Sequence, residues 1–436
     1  MIENIIKKNK KLNHYFLIAY SGGLDSTVLL DKLTKIRNIN KRIKIRAIHI
    51  NHNLNKNSEK WEEHCIKECK KKQVYLITKK IFINKKNGNI QDQARKKRYD
   101  LIKKYILHQE ILLTAHHIDD QCETVLLSLK RGSGPLGLSG IKYKSIFNKK
   151  NFIIRPLIKN TKIELENYAN KNSLKWIEDS SNYNKKYDRN FLRNKILPLI
   201  KNRWPYFVVN VNRSAENCNE QEKLINEFIS EIFQNYLKPD GSLEIKNFNK
   251  ISKEKQNAII KKWISKNNNF LPSKKILEII KKEVIGSKID ANPQLIIKNN
   301  QIRRYNKCLF WIKKFKSIKR TILMWHYLKK PLKLIDNLGY LSQNKKKGIK
   351  ILIPKKNQLV NIRFITEGKI NILGKNNKKK IKKIWQELYV PPWNRQRIPL
   401  IFYDDKLIAA VGKFITKEGK PKKNKQWYIY WNINQI

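Results

Sequence analysis

The feature that most constrains this chain is a short glycine loop between two strongly patterned segments. Tyr15–Tyr20 is an unbroken apolar run, Ser21-Gly22-Gly23-Leu24-Asp25-Ser26 follows it, and Ser26–Ile36 repeats apolar residues at helical spacing. That order reads as strand, tight turn, helix. Gly22 and Gly23 let the backbone adopt positive φ and approach a ligand closely. The first-turn amides of the helix, with its dipole, attract phosphate. The lysine of a G-x-x-x-x-G-K-[ST] loop is missing, so this is not a standard P-loop. Asp25 sets a carboxylate beside the expected phosphates, an arrangement that makes chemical sense with Mg²⁺ between them. The bland alternative is a strand–helix turn with serine as N-cap.

The alternation continues. Strand-like runs at 43–50, 74–83 and 111–115 interleave with helical patterns at 59–70, 92–106 and 119–129, followed by a strand at 152–154 and a helix at 162–172. This predicts an α/β domain over residues 1–205, a parallel sheet with helices on both faces. Residues 206–330 read as a mostly helical middle domain, with helices near 210–238, 253–265 and 273–282 and short strands at 294–297 and 308–312. Residues 345–436 read as a small α+β domain, with five strands and one helix near 378–389.

Charge narrows the partners. Lys and Arg total 95 against 35 Asp and Glu, a formal charge of +60. That points to a polyanion. The excess is mostly lysine and travels with Asn and Ile, the imprint of A/T-rich codons, to which roughly half of it is assigned. The five cysteines are scattered, which fits a reducing cytoplasm. Cys65 and Cys69 share a helix face without a second pair to complete a zinc site. The Tyr15–Tyr20 run is too short for a secretory signal, and no segment approaches the ~18 apolar residues of a membrane helix. A cytoplasmic protein without a membrane partner is expected.

Four further segments carry chemistry. The first is Ala115-His116-His117-Ile118-Asp119-Asp120-Gln121-Cys122-Glu123-Thr124, followed by Arg131-Gly132-Ser133-Gly134 and Gly137-Leu138-Ser139-Gly140. Its His117, Asp119 and Asp120 suit a divalent metal or an N-cap with core histidines equally well. The second is Gln91-Asp92-Gln93-Ala94-Arg95, with Arg98-Tyr99 on the same helix; Arg95 can meet charge developing on phosphate or base. The third runs from Glu178 to Asn182 and on to Arg189-Asn190-Phe191-Leu192-Arg193 and Pro198, a polar loop leading into a basic helix suited to RNA backbone. The fourth, Val390-Pro391-Pro392-Trp393-Asn394-Arg395-Gln396-Arg397, sets an aromatic beside two guanidiniums, a combination suited to nucleotides. A surface helix cation, a solvated connection and a rigid proline-bounded turn are the ordinary readings of the last three.

The hexapeptide resembles the signature of the PP-loop ATP pyrophosphatases. In this order the five segments together resemble the tRNA(Ile)-lysidine synthetase family over nearly the whole chain. One departure is Gln91, where the family usually has Glu at the start of its E-x-x-A-R helix. The resemblance implies an adenine nucleotide alpha hydrolase-like catalytic domain and two tRNA-gripping domains. It implies ATP and Mg²⁺ as cofactors, L-lysine and CAU-anticodon tRNA(Ile) as substrates, and adenylation of the wobble cytosine before lysine displaces AMP. Under it Ser21, Gly22, Gly23, Leu24, Asp25 and Ser26 hold the nucleotide and Asp25 holds Mg²⁺. Arg95, His117, Asp119 and Asp120 join Asp25 in catalysis. Arg131, Asn182, Arg189, Asn190, Arg193, Trp393, Arg395 and Arg397 contact RNA. A homodimer is expected from base rates. The rivals are a PP-loop tRNA thiolase, for which Cys122 is the one cysteine near the loop, and a non-catalytic RNA-binding protein on the same scaffold.

Overall fold

The computed structural model describes residues 14–53, 57–82, 90–148, 150–179, 183–184, 186–268, 271–288, 290–345, 347–422 and 425–433; Asn182 lies outside them. The chain divides into two compact units, Met1–Glu227 and Phe228–Ile436. Among the described residues no helix is long and apolar enough to cross a membrane.

The first unit is built on β1 (His14–Ala19), α1 (Leu24–Ile39), β2 (Ile43–Asn51), α2 (Ser58–Lys71), β3 (Tyr75–Lys80), α3 (Ile90–Tyr105), β4 (Glu110–Leu113), α4 (Ile118–Lys130), the short α5 (Pro135–Leu138), β5 (Lys144–Ile146), β6 (Phe152–Ile154) and α6 (Lys162–Lys171). The sheet order is β3-β2-β1-β4-β6-β5, parallel except for the edge strand β5. Phe16 and Ile18 of β1 face a core with Val28, Leu29, Leu33, Cys65 and Leu165, whereas Leu17 faces the opposite core with Ile102 of α3. Burial on both faces explains why β1 reads as a continuous apolar run. Arg46 of β2 grips Glu110 at the start of β4 through Nε and Nη2, at 2.6 and 2.7 Å. The chain leaves β1 toward β2 and β3 on one side and crosses from β3 to β4 on the other, so the crevice at the carboxyl end of β1 is where such sheets bind ligands.

A helical run closes this unit: α7 (Asp188–Phe191), a π turn (Leu192–Ile196), α8 (Leu197–Arg203) and α9 (Phe207–Gln234). Pro198 has no N–H for the Asn194 carbonyl, and the turn ahead of it widens. The boundary expected at 205/206 moves, because Phe207, Val208 and Val211 at the head of α9 pack on Ile118, Cys122 and Leu197.

The second unit opens with a four-stranded antiparallel sheet, β7 (Leu243–Glu244), β10 (Cys308–Lys313), β9 (Asn300–Tyr305) and β8 (Gln294–Ile297), packed on α10 (Lys253–Asn268) and α11 (Lys274–Ile279) around the fully buried Trp263. The middle region therefore holds more strand than its sequence suggested. Two larger antiparallel sheets follow, with β16 (Lys369–Ile370) and β17 (Lys379–Lys380) paired separately. β11 (Leu323–Met324), β15 (Val360–Arg363), β18 (Leu400–Tyr403), β19 (Lys406–Ala410) and β20 (Phe414–Ile415) form one. β12 (Leu332–Lys333), β13 (Tyr340–Gln343), β21 (Gln426–Asn432) and β14 (Ile349–Leu352) form the other. Because β11 to β13 belong to these sheets, the last module begins well before residue 345. Its main helix, α12 (Ile381–Glu387), lies inside the predicted span.

Candidate active site

The loop after β1 supplies the floor of the site. Gly22 has φ +80°, and a Cβ there would lie 2.8 Å from Cys65 Sγ and 3.0 Å from Ile177 Cδ1. Glycine is therefore required twice over, for the backbone sign and for space. The Ser26 hydroxyl accepts the Ser21 N–H at 3.3 Å, donates to the Gly23 carbonyl at 3.0 Å and lies 3.0 Å from Ser21 Oγ. The Ile177 N–H ties down the Gly22 carbonyl at 2.9 Å. Gly23 is the N-cap of α1 and no side chain caps the helix, which leaves its first-turn amides for a ligand. Leu24 packs into the core, so it offers the loop only backbone.

Asp25 leads into the site from the first turn of α1. Its side chain is 36% exposed, with Oδ2 3.6 Å from His117 Nε2. Its Oδ1 is buried without a hydrogen-bond partner. Burial raises the Asp25 pKa, only partly offset by His117. A carboxylate oxygen lacking a donor fits a cation. Among the described residues no three His, Cys, Asp or Glu side chains form a metal-holding group. The donor set matches Mg²⁺ held by one carboxylate and substrate phosphates.

His117 caps α4. Its Nδ1 accepts the Asp119 N–H at 3.3 Å, and its own N–H is bound by Asp120 Oδ2 at 3.0 Å, a reciprocal capping box. Nε2 then faces Asp25 Oδ2 and Asp120 Oδ2, at 3.6 and 3.5 Å. Burial opposes charging the imidazole, but the hydrogen bond to Asp119 and the charges of Asp120 and Asp25 prevail, and its pKa rises. Of the two open readings of this cluster, the N-cap is the one observed: His117 caps α4, and it also faces a carboxylate of the phosphate loop.

Asp119 and Asp120 are more tightly held than the sequence suggested. Asp119 accepts the Lys162 N–H at 3.1 Å and pairs with Lys201; burial notwithstanding, His117 and Lys201 hold its carboxyl well below the usual range. Asp120 Oδ1 receives Arg189 Nη2 at 3.0 Å and Arg193 Nη2 at 3.1 Å. The same arginines meet Glu123, whose side chain is 0% exposed, through Arg189 Nε at 2.5 Å and Arg193 Nε at 2.6 Å. Burial disfavours the Asp120 charge, yet His117 and Arg189 outweigh it and lower its pKa.

This quartet corrects the expected RNA-facing role of Arg189 and Arg193. Both guanidiniums turn inward onto carboxylates of α4. Asn190 is likewise buried and donates to the Asn184 carbonyl at 3.0 Å. Arg131 is exposed beyond the end of α4, with Nε on the Leu127 carbonyl at 3.0 Å. Arg95 is exposed on α3, its guanidinium 5.6 Å from the centre of the Tyr99 ring. Glu123 and Lys201 were missed. The i, i+3 spacing of Asp120 and Glu123, matched by the i, i+4 spacing of Arg189 and Arg193, was the available signal.

The fourth segment lies in the second unit and is half-buried. Trp393 packs on Phe310 and Tyr305, at centroid distances of 5.1 and 6.1 Å, with Arg303 over its ring at 5.4 Å. Arg395 Nε donates to the Val390 carbonyl at 2.9 Å. Arg397 pairs with Asp336 at 2.6 Å, stacks 3.8 Å over Phe315 and is 12% exposed. These contacts make the segment expected to meet nucleotides a clasp between the middle strands and the C-terminal module.

Comparison with known proteins agrees with this layout. Residues 1–200 match the PP-loop domain, 243–310 the TilS substrate binding domain and 360–431 the TilS substrate C-terminal domain. A tRNA(Ile)-lysidine synthase of Buchnera aphidicola from Schizaphis graminum is 51% identical over 100% of this chain and 97% of its own. One from Buchnera of Acyrthosiphon pisum is 46% identical over 99% and 97%, and one from Pectobacterium atrosepticum 42% over 96% and 94%. Among solved structures, the U34-tRNA thiolase NcsA of Methanococcus maripaludis superposes with TM-score 0.42 at 18% identity, over 50% of this chain and 80% of that one.

Proposed function

The chain belongs to the tRNA(Ile)-lysidine synthase family, and from that premise we propose that it joins L-lysine to the wobble cytidine of CAU-anticodon tRNA(Ile) at the expense of ATP. The observation that carries this reading is the uncapped α1 N-terminus with the partnerless Asp25 Oδ1 beside it, facing His117. The cytosine 2-carbonyl oxygen attacks the α-phosphate of ATP, pyrophosphate leaves, and the ε-amine of lysine displaces AMP from carbon 2. The product pairs with A rather than G, which moves decoding from AUG to AUA.

Residues divide the work as follows. The loop amides from Gly22 to Ser26 hold phosphate, and Asp25 would hold Mg²⁺, which would neutralise phosphate charge. Lysine arrives as an ammonium and must lose a proton before it attacks. Asp120 takes that proton on its carboxylate, while His117, whose Nδ1 accepts the Asp119 N–H and whose Nε2 therefore carries the ring hydrogen, faces Asp25 and Asp120 at 3.6 and 3.5 Å and holds them in place. Lys201 fixes Asp119, and Arg189 and Arg193 fix Asp120. Arg95 stabilises charge around the adenylated base. The anticodon loop is single-stranded, so presenting the base costs little. The enzyme works in the cytoplasm as a homodimer.

Cys122 is the one cysteine expected near the loop, but Cys65 lies against Gly22 as well; a thiolase reading is disfavoured because both are buried, burial raising the Cys65 thiol and pushing that of Cys122 up to about 12, an inert state. The test is incorporation of radiolabelled lysine with release of AMP and pyrophosphate. Label should enter tRNA only with ATP and with cytidine at the wobble position. ATP cleavage without lysine transfer would overturn the assignment of the nucleophile.

A further inference from the structure

Arg155 has no part in the reaction scheme above. It directly follows β6, so it stands at the same carboxyl edge of the sheet as Ser21 and His116. β4 separates β6 from β1, which puts Arg155 two strand spacings, about 10 Å, from the phosphate loop. Nη1 donates to the Lys142 carbonyl at 2.6 Å and lies 3.1 Å from Ser145 Oγ, which fixes the guanidinium plane. Nε is buried with no hydrogen-bond partner.

Two more arginines share this ground. The Arg95 and Arg98 guanidiniums lie 5.6 and 5.4 Å from the centre of the same Tyr99 ring. Burial, and then the charge of Arg95, lower the pKa of Arg155. Among the described residues no carboxylate forms an ion pair with Arg95, Arg98 or Arg155, whereas Arg189 and Arg193 have two carboxylates between them. The histidines facing the cluster stay neutral. Burial, helped by Arg98, pulls the His52 pKa down to about 4. Burial pulls the His116 pKa down to about 3; Asp120 opposes the shift, and Arg155, Arg189 and Arg95 add to it. The fold thus concentrates positive charge, leaves one buried donor unmet and provides no internal counterion. Such an arrangement is costly unless a ligand completes it.

We propose that Arg155, with Arg98 and Arg95, forms a phosphate-oxyanion site beside the phosphate loop, an inference that rests on the reading of the function given above. The oxyanion comes either from the pyrophosphate portion of ATP or from the RNA backbone next to the target cytidine. Both supply charge-dense oxygens that a fork of N–H donors meets well.

The test uses the full chain with Arg155→Gln and, independently, Arg98→Gln. Two affinities are measured: inorganic pyrophosphate with Mg²⁺, and a CAU-anticodon tRNA transcript across a salt series. Loss of one charge-assisted contact should weaken the relevant ligand about tenfold. Weakened pyrophosphate binding with unchanged RNA binding assigns the site to ATP. Weakened RNA binding, with the salt slope reduced by about one, assigns it to the backbone. Binding of both ligands within twofold of the parent in both variants overturns the proposal. Lysine incorporation by the parent protein is followed in parallel; its failure would remove the assigned function while leaving the anion-binding result to be read on its own.

Discussion

Glu123→Gln should be among the most damaging single substitutions in the first unit. Glu123 is fully buried and receives Arg189 Nε at 2.5 Å, Arg193 Nε at 2.6 Å and Arg193 Nη2 at 3.0 Å. The amide keeps the volume but removes the charge and turns one acceptor into a donor aimed at a guanidinium. Asp120 Oδ1 then remains as the sole anionic partner for two cations. Breaking one side of a buried ion pair costs about 3–5 kcal/mol. At about 2–4 °C per kcal/mol for a unit of this size, that is a fall of roughly 6–20 °C in melting temperature. Glu123→Gln, Arg193→Gln and the double variant would be compared by thermal and urea unfolding. The coupling energy of that cycle should exceed about 1.5 kcal/mol, since the two residues touch. A Glu123→Gln loss below 1 kcal/mol, or additivity in the cycle, would refute the quartet as the brace of the arginine helix.

Other expectations follow from the same geometry. Gly22→Ala should destabilise the unit by about 1–2 kcal/mol for the backbone alone and sharply weaken ATP binding; Cys65→Ala in the same chain should relieve the clash but not the backbone strain, as read by melting and nucleotide titration. His117→Gln, which removes the imidazole that holds Asp25 and Asp120 in place, should slow lysine transfer by up to about 100-fold while pyrophosphate release is less affected, as read by single-turnover kinetics. His52, with its pKa lowered to about 4, binds protons more readily in the unfolded chain. Stability should therefore fall as pH drops from about 6.5 toward 4, and His52→Gln should flatten that limb of the pH–stability curve. Arg397→Ala should lower the stability of the 228–436 unit while leaving the salt slope of tRNA binding unchanged; a slope reduced by about one would return Arg397 to the RNA interface.

The local layers of this structure were legible in the sequence. β1, β2, α1 to α4 and β6 fall within a few residues of their patterns, because a parallel strand buried on both faces and an amphipathic helix each announce themselves over a short window. β9 was not legible. Asn300–Tyr305 reads as polar, and Gln301 and Ile302 are buried only because β8 and β10 flank them. The site divides in the same way. The glycine loop and the His117 turn are contiguous and could be read directly. The partners of Asp120 and Glu123 lie 66 to 73 residues away, so Arg189 and Arg193 looked like free cations on a surface helix. Trp393 and Arg397 misled for a related reason. An aromatic among guanidiniums is a good ligand for a nucleotide and an equally good internal clasp, and only Phe310, Tyr305, Phe315 and Asp336 decide between them.

The forked contacts of the buried quartet have a wider bearing on this lysine-saturated chain. Seventeen of its 95 cationic residues are arginine. Arg37, Arg46, Arg189, Arg193, Arg304, Arg363 and Arg397 each join two or more separate oxygens with one flat group. A lysine at any of these places would present a single point of charge and satisfy the acceptors one at a time. Codon bias can write lysine freely where a solvated charge is enough, but it meets a geometric limit at these seven. Their clasps reach from β2 to β4, from α4 to the helical run after it, and from Asp336 to Arg397, where they pin segments far apart along the chain.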